Sequence, residues 1–156
     1  MPRPTTYSSL QIILHWLVVV LIVGAFLLSD QMDDWEDMPA DAPLPLHGIL
    51  GLTVFFLMLA RLALRLFRGA PPPPEADPAW QKRVAEITHW VLYALAIATP
   101  WSGGFAFYLR WEEAADLHEL LKTLLLLTAA AHTAAALYHQ FVLKDGLMAR
   151  MGLRRR

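Results

Sequence analysis

The chain has 156 residues, 56% of them hydrophobic and only 17% charged, with a mean hydropathy of +0.40. That is apolar for a soluble domain of this length, and the length suits one domain. A formal net charge of −1 excludes bulk attraction to nucleic acid. The lack of cysteine excludes disulfides, thiolate metal sites and covalent cofactor attachment through a C-x-x-C-H segment.

Four stretches are long and apolar enough to span a bilayer, which takes about 20 residues. They run over about 10–29, 46–67, 84–109 and 117–143. The first is too long for a signal peptide and lacks both a basic n-region beyond Arg3 and an A-x-A cleavage site, so it reads as a true helix. The second ends with Arg61 and Arg65. In the third, Pro100 and the pair Gly103 and Gly104 are expected to kink or end the helix. Between the second and third, residues 69–78 carry four consecutive prolines and are expected to form an extended connector.

Charge sets the expected orientation. Of the thirteen Lys and Arg residues, all but Arg110 and Lys122 fall on the side of the termini and the proline connector. The other side is acidic, with Asp30, Asp33, Asp34, Glu36, Asp37 and Asp41, then Glu112, Glu113, Asp116 and Glu119. The positive-inside rule therefore places both termini in the cytoplasm. Arg154, Arg155 and Arg156 are expected to fix this orientation. The expectation is an all-α, integral membrane four-helix bundle forming a single domain over 1–156.

Six histidines are layered in depth in this frame. His118 and His132 are fourteen residues apart on the fourth stretch. At ~100° and ~1.5 Å per residue they share a helix face and stand roughly 21 Å apart, one near each surface. An ionisable group in lipid is a functional candidate by default. Two on one stripe point to two stacked haems, each held by neutral imidazoles. The outer level offers one pair, His47 and His118. The inner level offers His132 with His15, while His89 lies at the depth of His15 and could replace it. His139 falls on nearly the face of His132, closer to the helix end.

Arg61 follows His47 by fourteen residues, so it shares that face at the inner level. It reads either as a partner for haem propionates or as a snorkelling cation. Lys122, one turn inward of His118, has the same two readings, whereas Arg65 reads as a snorkelling cation. Gly48, Gly51 and the alanines flanking His132 leave room for a flat macrocycle or for close helix packing. Glu86 and His89 form an E-x-x-H sequence, but a di-iron site needs a second such motif and carboxylates on the other two helices, and the first two stretches have no Glu. No spacing favours a zinc site.

The ordered set of motifs resembles the bacterial cytochrome b561 family, relatives of the membrane cytochrome b subunits of hydrogenases and formate dehydrogenases. It comprises Leu14-His15-Trp16-Leu17, Leu46-His47-Gly48, the Arg61 to Arg65 ending, Thr88-His89-Trp90 with Tyr93, His118-Glu119, the run from His132 to His139, and Lys144-Asp145-Gly146. The resemblance spans nearly the whole chain. It implies two non-covalent b haems, with His47 and His118 as outer ligands and His15 and His132 as inner ones. It also implies electron transfer to membrane quinone in the bacterial inner membrane, from a periplasmic donor protein or superoxide. His89, His139 and Lys122 are then expected beside the haems or at a quinone site. Rival expectations are a membrane anchor for a separate dehydrogenase and, more remotely, a proton-linked transporter. The short acidic connection between the last two stretches repels an anionic donor more than it steers one.

Overall fold

The computed structural model describes residues 6–32, 34–39, 41–73 and 77–152. Arg3, Asp33 and Arg154 to Arg156, which entered the charge argument, lie outside the described residues. Four long helices carry the fold: α1 (Ser9–Leu27), α2 (Leu46–Arg68), α3 (Ala79–Leu109) and α4 (Glu112–Tyr138). Each is long and apolar enough to cross a membrane. They alternate in direction, so the start of α1 and the end of α4 lie at one end, the lower end.

The ends of the helices follow from local chemistry. Ser8 and Gln11 form a reciprocal capping box that starts α1. Gly69, at φ 76°, closes α2. Helix α3 starts at Ala79, five residues before its apolar stretch, because the turn holding Gln81, Lys82 and Arg83 continues the helix beyond the apolar window. Helix α4 starts at Glu112, not near 117, with Glu112 and Glu113 in a first turn where the helix dipole favours anions. Pro100 lies inside α3, and the helix runs on through Gly103 and Gly104 to Leu109. It ends at Arg110, a left-handed residue at φ 52°. The Arg110 guanidinium donates to the carbonyls of Trp35, Met38 and Pro39, tying the α3–α4 turn to the α1–α2 loop.

At the lower end α4 passes into a π-helical turn, His139–Leu143, and then a 3₁₀ turn, Leu147–Met151. This tail folds back on the bundle. Trp16 Nε1 donates to the Met151 carbonyl at 3.1 Å, and Arg150 donates to the Pro72 carbonyl at 2.7 Å. The described part of the proline connector is non-helical, as its prolines require.

Packing is uneven around the bundle. Helix α3 packs along α4, α1 along α2 and α2 along α3, while neither α1 nor α2 packs its backbone closely along α4. All four helices meet in one central layer of Val18, Val54, Met58, Ala96 and Leu125. Leu125 lies seven residues from both His118 and His132, so this apolar layer separates two histidine levels. Most other large apolar side chains face outward, as lipid contact demands of a bundle of this size.

Candidate functional site

At the upper level, α2 and α4 present His47 and His118 to each other. Their ring centroids are 6.2 Å apart at an interplanar angle of 78°. Each ring is oriented by a main-chain carbonyl: His47 Nδ1 lies 2.7 Å from the Ala25 oxygen, and His118 Nδ1 lies 2.7 Å from the Thr99 oxygen. A carbonyl only accepts, so both Nδ1 atoms carry the proton and both Nε2 atoms keep a lone pair. This is the tautomer that a metal-binding imidazole needs, held by the partner such imidazoles usually have.

The spacing fits a shared metal as well. A metal–imidazole bond is about 2 Å and a ring centroid lies about 1 Å behind its nitrogen, so two imidazoles on opposite sides of one iron stand about 6 Å apart. Because α2 and α4 are not packed backbone to backbone, the histidines face each other across a seam. Gly103 of α3 provides the seat for His118. A Cβ there would lie 2.8 Å from His118 Nδ1 and 2.9 Å from Cε1, so any side chain would displace the ring. Gly104 has nothing within 4 Å of the same position.

The lower level holds three histidines. His89 and His132 have ring centroids 5.3 Å apart at 70°. They come from helices that are packed directly together. His15, from α1, lies within electrostatic reach of both. Its Nδ1 is 3.3 Å from Arg61, and its ring meets Trp16 edge-on at 5.2 Å. Thus the structure brings His89, rather than His15, against His132. Arg61 points into the bundle, donating to the Gln11 carbonyl at 3.1 Å. Arg65 does not reach away from the protein; its guanidinium lies over Trp90 at 5.2 Å and Tyr93 at 5.6 Å.

The remaining residues singled out in the sequence fall elsewhere. Lys122 pairs with Glu119 on its own helix. His139 is buried at the lower end, between Asp145 on Nδ1 and the Gln81 amide at 2.8 Å from Nε2. Asp77, His139 and Asp145 bring ligand-type atoms within 4.8 Å of one another. Burial pushes the Asp145 carboxyl up, but hydrogen bonds from His139 and the Leu147 N–H outweigh it and hold the group below the usual aspartate value. A Cβ at Gly51 would make ordinary contact with Pro100 at 3.7 Å, whereas one at Gly48 would press on the Leu44 side chain.

Two buried polar atoms have no hydrogen-bond partner among the described residues at these levels: Thr99 Oγ1 above and Arg61 Nε below. A buried guanidinium nitrogen lacking an acceptor is costly, and a carboxylate is the group that would satisfy it. Facing imidazoles, a glycine seat and a guanidinium with its Nε unpartnered together fit haem b with its propionates.

Four apolar spans carrying inward imidazoles define a multi-pass membrane protein of the b-type cytochrome class. The prokaryotic cytochrome b561 family model matches residues 6–153, and the chain belongs to that family. It is 32% identical over 163 residues to cytochrome b562 of Cereibacter sphaeroides, covering 97% of this chain and 98% of that protein. It is 31% identical over 173 residues to the probable superoxide oxidase CybB of Yersinia pestis, covering 93% and 94%. It is 28% identical over 177 residues to cytochrome b561 homolog 1 of Escherichia coli, covering 96% and 98%. Family membership makes the chain a transmembrane cytochrome b of electron transport, with haem b as its prosthetic group.

Proposed function

We propose that the chain is a single-domain dihaem conduit that carries electrons across the bacterial inner membrane from a periplasmic donor to quinone. The observation that carries this reading is the facing of His47 and His118 at 6.2 Å, with both Nδ1 atoms engaged by carbonyls. Haem b supplies a one-electron carrier at each level. The residues proposed to hold it are His47 and His118 above, and His15 and His132 below. Both termini are proposed to be cytoplasmic, so the upper level faces the periplasm.

His15 is preferred to His89 as the lower partner for two reasons. The centroids of His89 and His132 are 5.3 Å apart, closer than two imidazoles flanking one iron. They also come from tightly packed helices, whereas the backbones of α1 and α4 are not in close contact. The direct His89–His132 contact favours the second reading, in which His89 is the ligand. In the first reading Arg61 leaves His15 Nδ1 and turns Nε toward a propionate, which frees His15 Nδ1 to carry its proton. His89 and His139 then line the lower haem or a quinone site.

Superoxide is a proposed donor because one relative is named a probable superoxide oxidase. Each superoxide oxidised to dioxygen yields one electron, and quinone takes two electrons and two protons to become quinol. The acidic upper loops instead suit a cationic docking protein, as in a membrane-anchor cytochrome. Purified protein alone, in liposomes containing a ubiquinone analogue, separates the two. Quinone reduction dependent on externally generated superoxide supports the oxidase. Reduction only after adding a protein donor supports the anchor, and neither, with both haems bound, refutes the quinone assignment.

A further inference from the structure

Helix α3 gives no imidazole to the upper pair, yet it holds the carbonyl that His118 uses. The Thr99 oxygen accepts from two side chains at once: His118 Nδ1 at 2.7 Å and Ser102 Oγ at 2.8 Å. Ser102 is the most completely buried side chain among the described residues, at 2% exposure. Its hydroxyl reaches back three residues within its own helix, a habit of serine in helices that need not serve anything else. Here the shared acceptor gives the bond a consequence. A carbonyl has two lone pairs, and this one also has its place in the helix ladder. A second donor draws density from the oxygen and weakens its hold on the first.

We infer that Ser102 is a positioning residue that sets the midpoint potential of the upper haem by competing with His118 for the Thr99 carbonyl. This rests on His118 being an axial ligand. The sign follows from ligand basicity. The more strongly Nδ1–H is bound, the more electron density the imidazole gives the iron, and the more the ferric state is favoured. Ser102 weakens that bond and so raises the potential. Removing its hydroxyl leaves no polar group unpaired, because the Thr99 carbonyl keeps His118 as a donor, and the lost volume is a single oxygen.

Sharing forfeits only part of a neutral hydrogen bond, so Ser102→Ala favours ferric over ferrous iron by about two- to fivefold. At 59 mV per tenfold for one electron, that is a fall of about 20–40 mV. The experiment is a potentiometric titration of wild type, Ser102→Ala and Ser102→Cys, with His118→Ala identifying which haem is the upper one. The expected result is a lower midpoint for the upper haem in Ser102→Ala, a smaller fall with the weakly donating thiol, and a lower haem that does not move. The low-spin EPR signal of the upper haem should change along with its potential. An unchanged or raised upper midpoint overturns the inference. Should Ser102→Ala lose haem, Ser102→Cys is read by the same criterion. Retention of every haem in His118→Ala would instead overturn the ligand reading beneath it.

Discussion

Replacing Gly103 with alanine, beside the matched replacement of Gly104, isolates the seat of His118. The two are neighbours in one helix, and glycine to alanine in a helix interior is worth about 1 kcal/mol of stability in either case. They differ in what the new methyl meets. At Gly104 nothing lies within 4 Å, so the propensity gain stands. At Gly103 the methyl would sit 2.8 Å from His118 Nδ1. Restoring ordinary contact moves the ring by roughly half an ångström, and overpacking of this kind costs about 1–3 kcal/mol. That displacement also stretches the 2.7 Å bond to the Thr99 carbonyl, worth about 1 kcal/mol. The net loss at the His118 site is about 1–3 kcal/mol, a fall in haem affinity of about five- to a hundredfold. Haem content after purification through a dilute-detergent wash, with thermal stability measured in parallel, reads this directly. Gly103→Ala should lose the upper haem in preference to the lower, while Gly104→Ala keeps both and melts no lower than wild type. Equal haem content and equal melting in the two variants would refute the seat.

Further expectations follow from the same geometry. His118→Ala should remove one haem and leave the other, counted spectroscopically. His89→Ala should retain both, and loss of the lower haem would assign His89 to iron in place of His15. Arg61→Gln removes a positive charge beside the lower haem and should lower its midpoint potential, by on the order of 1 kcal/mol; no shift would leave Arg61 as a structural cation. Asp145 has a folded pKa below its unfolded value of about 3.9, so its stabilisation is present above that value and is lost as pH falls through the folded one. Melting of wild type and Asp145→Asn, compared from pH 7 downward, should therefore differ at neutral pH and begin to converge only below about pH 4.

Much of this architecture is legible in residue order because bilayer thickness and helical period are rigid constraints. The fourteen-residue interval from His118 to His132 places the two levels, and the same interval from His47 to Arg61 brings a cation to the lower one. What escaped the sequence depends on the main chain. The carbonyls of Ala25 and Thr99, which orient His47 and His118, carry no residue signature. Gly103 read as a helix breaker, although it follows His89 by fourteen residues and so lies on the α3 face that meets α4. The early starts of α3 and α4 were hidden because hydropathy registers lipid contact, whereas the turns at Gln81 and Glu112 are helical but polar. The contact between His89 and His132 reflects which helices pack together, which depth alone does not determine.

The most direct measurement is the ratio of haem b to polypeptide in the purified, folded protein, by pyridine haemochrome against quantitative amino-acid analysis. Two b haems per chain are expected, falling to one in either His47→Ala or His132→Ala. A well-folded chain that binds a single haem, or none, contradicts the two-level arrangement.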